Sequence, residues 1–201
     1  MKLLNRTRGT VPSLQDRLVW QCASLLLAYP DDRLSERLRA ADELRALVAS
    51  PAAQPLASTV VALRARDPMH AAAAYVETFD LRRRSTMYLT YWTAGDTRNR
   101  GREIHAFARA YLDAGVRPPV DEAPAHLPVV LEFAATVDPV VGRRLLVEHR
   151  VPIDVLHASL TERGSPYADA IAAVCETLPA ATDQESRRAQ RLAQTGPPAE
   201  A

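Results

Sequence analysis

The chain has 201 residues, enough for a single domain that buries a core of its own. Apolar residues make up 47%, charged residues 24%, and the formal net charge is +1; that balance excludes a disordered chain and gives no global reason to expect nucleic acid or an acidic membrane as partner. With 7 glycines and 15 prolines, the chain has few positions for tight β-hairpins, and its prolines punctuate helices.

In chain order, Ser13 and Asp16 predict a capped first helix with Leu14, Leu18, Cys22 and Leu25 at helical spacing, stopped at Tyr29-Pro30-Asp31-Asp32. A second helix is expected from Ser35 to Ala49 and a third from Leu56 to Arg66. Asp67-Pro68 caps a fourth, which reaches Tyr75 and Phe79. The run Ser85–Trp92 has strand-like composition. It is read as helix because its neighbours are helical, no partner strand is evident and Gly95 supplies a stop. Asp96 or Thr97 opens the next helix, with Ile104, Phe107, Ala108, Tyr111 and Leu112 on one face and Gly115 at its end. After a Pro-rich connection from Arg117 to Leu127, helices start at Pro128, Pro139, Pro152 and Pro166. The expectation is an all-α, single-domain bundle of about ten short helices over 13–178, with a flexible N-terminus at 1–12 and a disordered tail at 179–201.

Chemistry-bearing patterns are scarce. The sequence shows no phosphate loop, GxSxG or HExxH, and its five histidines are scattered, so neither a catalytic nor a metal site is predicted. Glu148 and His149 read as a solvated helix face. Cys22 and Cys175 sit among apolar neighbours and read as buried free thiols in a reducing compartment. The first ten residues lack the apolar stretch of a signal peptide, and no apolar run is long enough to span a membrane, so a cytoplasmic location is expected. Arg82-Arg83-Arg84 with Arg98, Arg100 and Arg102 reads as a helix junction with ion pairs to Asp80, Asp96 and Glu103, or as a phosphate-binding patch. Tyr88, Tyr91 and Trp92 between these clusters read as core, or as the floor of a groove for a partner's amphipathic helix.

Two blocks carry a resemblance. Residues 75–101, YVETFDLRRRSTMYLTYWTAGDTRNRG, and residues 122–133, EAPAHLPVVLEF, resemble the paired signature segments of the NarJ family in sequence, order and separation. These proteins are assembly chaperones of respiratory nitrate reductase. The resemblance implies the all-helical chaperone fold shared with the TorD/DmsD group, and a partner in the apo catalytic (alpha) subunit, engaged at its N-terminal segment. It further implies assistance to molybdenum-cofactor insertion, absence from the finished complex, and neither enzymatic activity nor a cofactor of the chaperone's own. On this basis Tyr88, Tyr91, Trp92, Leu127, Leu131 and Phe133 are expected to border the client groove. Phe79, Asp80, Arg84, Arg98, Arg100, Glu122, Pro124, His126 and Pro128 are expected at its polar rim and signature. The chain departs from the family pattern at Ala125, where the family places an Asp before the motif histidine. The carboxylate's role beside His126 is then lost or passes to Glu122 or Asp121. A monomer or weak dimer is expected, without nucleic acid or stable membrane insertion. The alternatives are a small helical nucleotide- or phosphate-binding protein and a helical nucleic-acid-binding regulator.

Overall fold

The computed structural model describes residues 11–95 and 98–198. The expected N-terminal flexibility therefore lies mostly outside the described residues, as does the Asp96/Thr97 cap. Among the described residues eleven α-helices follow one another: α1 (Leu14–Leu27), α2 (Leu34–Ala46), α3 (Ala53–Arg64), α4 (Pro68–Tyr75), α5 (Leu89–Ala94), α6 (Arg98–Asp113), α7 (Leu127–Thr136), α8 (Pro139–Glu148), α9 (Arg150–Glu162), α10 (Tyr167–Glu176) and α11 (Asp183–Thr195). A single π-turn (Val76–Asp80) extends α4, and a 3₁₀ turn (Arg83–Ser85) precedes α5.

Helix starts follow the side-chain chemistry read from the sequence. Ser13 Oγ accepts from the Asp16 N–H and Asp16 reaches back to the Ser13 N–H, a reciprocal cap. Asp67 accepts from the His70 N–H, and Asp138 from the Val140 and Val141 N–H groups, each ahead of a proline at the first helical position.

The frame is organised around α1, which packs against α7, α2, α10 and α3. Trp20 lies at its centre, fully buried, with its indole N–H donating to Thr177 Oγ1 at 2.8 Å. Burying an aromatic of this size while satisfying its one donor gives α1 both packing energy and a fixed rotation. Helix α7 is apolar nearly all round and lies against α1 and α8. At the α7–α8 crossing a Cβ on Gly142 would collide with Ala134, so glycine sets how closely those helices approach.

Three expectations are corrected. Residues 86–88 are extended rather than helical, because a partner exists far away in sequence: Tyr88 and His126 form an isolated antiparallel bridge. The 179–201 segment was expected to be disordered, yet 183–195 form helix α11. Thr182 and Glu185 cap it reciprocally, and Ala189, Leu192 and Ala193 give it a narrow apolar stripe. His149 does not project from a solvated face; it joins α8 to α9, its Nδ1 bonds the Leu145 carbonyl, and its ring lies 4.8 Å from Phe107. On α6, Leu112 is exposed while Phe107 and Tyr111 are buried.

Candidate functional site

The two signature blocks meet through their backbones. The Leu127 N–H donates to the Met87 carbonyl (3.0 Å) and the Leu89 N–H to the Ala125 carbonyl (3.1 Å), flanking the Tyr88–His126 bridge. Residues directly opposed in such a bridge project from the same face. The Tyr88 and His126 rings accordingly stack with centroids 5.0 Å apart and planes tilted by 31°.

Glu122 closes this unit. Its Oε2 lies 3.1 Å from His126 Nδ1, and its Oε1 accepts from the Tyr88 hydroxyl (3.1 Å) and the Ala123 N–H (2.8 Å). Burial pushes the His126 pKa down; Glu122, and more weakly Asp80, pull the other way. The neutral imidazole is then best held with its Nδ1–H donating to Glu122, a tautomer assigned from the contact. Burial, with Glu122 beside it, raises the Tyr88 pKa, so the phenol keeps its proton and donates. Ala125 is buried, and the carboxylate facing the imidazole comes from Glu122, four residues earlier in the chain.

Tyr91 and Trp92 occupy a different setting. With Val151 and Val155 of α9 and Ala189 of α11 they form a small apolar cluster separate from the main core, flanked by Tyr88, Leu192 and Ala193. Their rings meet edge to face at 5.8 Å, the Trp92 indole N–H donates to the Thr86 carbonyl (3.3 Å), and the Arg100 guanidinium sits 5.6 Å from the Tyr91 centroid. Thr93 bonds Glu103, tying α5 to α6.

The six residues expected to border one groove are therefore divided. Leu127, Leu131 and Phe133 belong to the main core and are 0%, 0% and 3% exposed, so they do not line a surface groove in this structure. Helix α7 presents them inward because it is enclosed by α1 and α8, and Phe133 packs edge to face on Tyr111 at 4.4 Å. Tyr88 is half-buried, while Tyr91 and Trp92 are buried beneath α11.

The rim residues are divided too. Phe79 is core, packed on Tyr75 and Tyr167. Pro128 is buried and its carbonyl accepts from Ser24, and the Pro124 carbonyl accepts from Tyr111. Asp80, Arg84 and Arg98 are exposed, and Arg100 is half-buried. The arginine run is engaged within the chain: Arg82 pairs with Glu77 (2.6 Å), and Arg84 donates to the Gln194 carbonyl at the end of α11 (3.2 Å).

Sequence reasoning missed the residues that complete the small cluster, namely Val151 and Val155 of α9 and Ala189 of α11. The Thr182/Glu185 capping pair was the available signal for α11. Cys22 and Cys175 are free thiols, the first buried and the second half-buried, and burial pushes both to about 12, leaving them protonated. Among the described residues no cluster of His, Cys, Asp or Glu could hold a metal ion, and no helix is long and apolar enough to cross a membrane.

With this geometry in place, the comparisons with known proteins decide the family. Residues 40–173 match the family described as nitrate reductase delta subunit, and the match contains both signature blocks. The chain belongs to this family. It is 60% identical over 160 residues to the nitrate reductase-like protein NarX of Mycobacterium tuberculosis, a match covering 80% of this chain and 24% of that relative. It is 27% identical over 157 residues to the probable nitrate reductase molybdenum cofactor assembly chaperone NarJ of Bacillus subtilis (76% of this chain, 84% of the relative). To NarJ of Escherichia coli K12, named as the same kind of chaperone, it is 30% identical over 150 residues (72% and 63%). The chain thus spans about a quarter of NarX and most of the Bacillus chaperone. In this chain the Glu122–His126–Tyr88 unit joins the two signature blocks, and the Tyr91–Trp92 cluster packs against α9 and α11.

Proposed function

We propose that this chain is an assembly chaperone for a respiratory nitrate reductase. It binds the apo catalytic subunit at its N-terminal segment, holds that subunit competent for molybdenum-cofactor insertion, and leaves the finished complex. The observation that carries this reading is family membership across a segment containing both signature blocks, together with the names of the Bacillus and Escherichia relatives. The chain acts in the cytoplasm, as a binding protein and not as an enzyme. The molybdenum cofactor is cargo for the client, and this chain needs none of its own.

A client-holding protein requires an apolar surface that exchanges occupants, because binding must be strong enough to protect and weak enough to release. Tyr88, Tyr91 and Trp92 are offered for that surface, with Arg84, Arg98 and Arg100 as the nearby cationic groups. Glu122 and His126 act as positioning residues that hold Tyr88 and the start of α7. Leu127, Leu131 and Phe133 support the site from within the core.

The test is affinity capture from cells grown on nitrate at low oxygen. The expected result is co-purification of the catalytic subunit, and loss of molybdenum from that subunit when the gene for this chain is deleted. A fully loaded, active reductase in the deletion strain overturns the proposal.

A further inference from the structure

Helix α11 is held mainly by one neighbouring helix and by few buried side chains. Of its thirteen residues only Ala189 is buried, and Leu192 and Ala193 are half-buried. It packs on α9 rather than on the α1-centred frame. Along its seam with α5 and α9 runs a solvent-open cavity of about 190 Å³, lined by apolar Trp92, Val151 and Leu192 and by polar Glu148, Glu185 and Arg188. Polar groups tie the segment down at its edges: Arg84 donates to the Gln194 carbonyl, and Arg150 to the Pro179 carbonyl at 2.6 Å. Beyond α11 the chain folds back onto the signature block. Gly95, at φ +61°, is approached so closely by the Pro198 carbonyl that any Cβ there would collide with it. The family match ends at residue 173, ahead of this whole segment.

We infer that α11 is a built-in plug: it occupies, in cis, the site where the client's segment docks, and loading requires its displacement. The inference rests on the chaperone reading for the identity of the client. The plug also describes the ligand chemistry. It offers apolar side chains at Ala189, Leu192 and Ala193, one helical stripe, with Asp183 and Glu185 in its first turn and Arg187, Arg188 and Arg191 after them. Its receptor offers Trp92, Val151 and Val155, with Glu148 at the cavity wall. The competing occupant is therefore an amphipathic helical segment of the catalytic subunit. A weakly packed cis helix suits this task. It covers aromatic surface that would otherwise be exposed in the unloaded protein, and it reduces apparent client affinity by the fraction of time the site is closed.

The test uses the full chain and two fluorescent probes: a peptide of residues 179–198 of this chain, and a synthetic peptide of the catalytic subunit's N-terminal segment. Leu192→Glu weakens α11 in its seam, and Thr182→Ala removes its exposed N-cap without touching the receptor surface. Both probes are expected to bind Leu192→Glu about tenfold tighter than the unmodified chain, and Thr182→Ala about fivefold tighter. Each probe should displace the other. Equal affinity for all three chains overturns the plug while leaving the chaperone reading intact. Binding of the 179–198 probe to the variants, with no binding of the client probe to any chain, overturns the chaperone reading and keeps the plug. Should Leu192→Glu fail to fold, Thr182→Ala decides alone. Light scattering runs alongside: a variant that becomes a dimer by exchanging α11 between copies overturns the cis arrangement.

Discussion

The α1–α7–α8 core and the small cluster under α11 are built from the same kinds of side chains and behave as opposites. In the first, apolar helices enclose one another, Leu127 and Leu131 lose all exposure, and Gly142 permits a contact with Ala134 that no larger residue allows. In the second, Tyr91, Trp92, Val151 and Val155 are covered by a mostly polar helix that leaves a cavity in its seam. Similar apolar composition thus serves permanence in one place and exchange in the other. What separates the two is the partner each face was given.

The contrast can be broken at its strong end first. Phe133→Ala should cost about 3–5 kcal/mol of unfolding free energy, since it empties a fully enclosed ring site against Tyr111. Denaturant titration measures this, and a loss under about 1 kcal/mol would place Phe133 on an adaptable surface instead. Gly142→Ala should cost about 1–3 kcal/mol through overpacking against Ala134. A neutral outcome would mean that α7 and α8 can separate freely.

Glu122→Gln sharpens the boundary between the two regions. It should cost about 1 kcal/mol, because the amide keeps acceptors for Tyr88 and Ala123 but presents no charge to His126. It should also steepen the acid sensitivity. Burial holds His126, His149 and His157 below the ordinary histidine pKa. As pH falls through about 6.5 the unfolded chain therefore takes up protons that the folded chain refuses, and stability is lost. Glu122 is the group that most opposes this at His126, so the melting temperature of the variant should fall further between about pH 7.5 and 5.5 than that of the unmodified chain. Parallel pH profiles would show that Glu122 does not act on His126. The smallest global effect is expected for Ala189→Glu, within about 0.5 kcal/mol by denaturant titration, because the loss is confined to α11. A cooperative loss of the whole fold would make α11 part of the frame.

Most helices were legible from sequence because periodicity and capping point the same way. Ser13, Asp67 and Asp138 each cap the helix they announce, and Pro68 and Pro139 each occupy its first turn. The extended stretch at 86–88 was not legible, since its stabilising partner at 125–127 is distant in sequence and a strand-like run shows nothing of its pairing. Helix α11 was hidden by its polarity: its apolar stripe of Ala189, Leu192 and Ala193 is short and set in a mostly charged and polar segment that reads as a solvated tail. The two blocks were legible as neighbours in function, but at Ala125 the sequence left open whether the carboxylate's role is lost or passes to Glu122 or Asp121; in the structure Glu122 faces His126 at 3.1 Å. Which aromatics lie in the core and which lie under an exchangeable cover was not legible. Leu131 and Trp92 carry the same apolar signal, and only the packing of α1 and α11 tells them apart.

Hydrogen exchange on the full chain, with and without the catalytic subunit's N-terminal peptide, tests the central claim most directly. The amides of 183–195 should lose protection when the peptide is added, while those of 89–94 and 151–162 keep or gain it and those of α1 and α7 stay unchanged. Peptide binding that leaves 183–195 as protected as before would contradict the account.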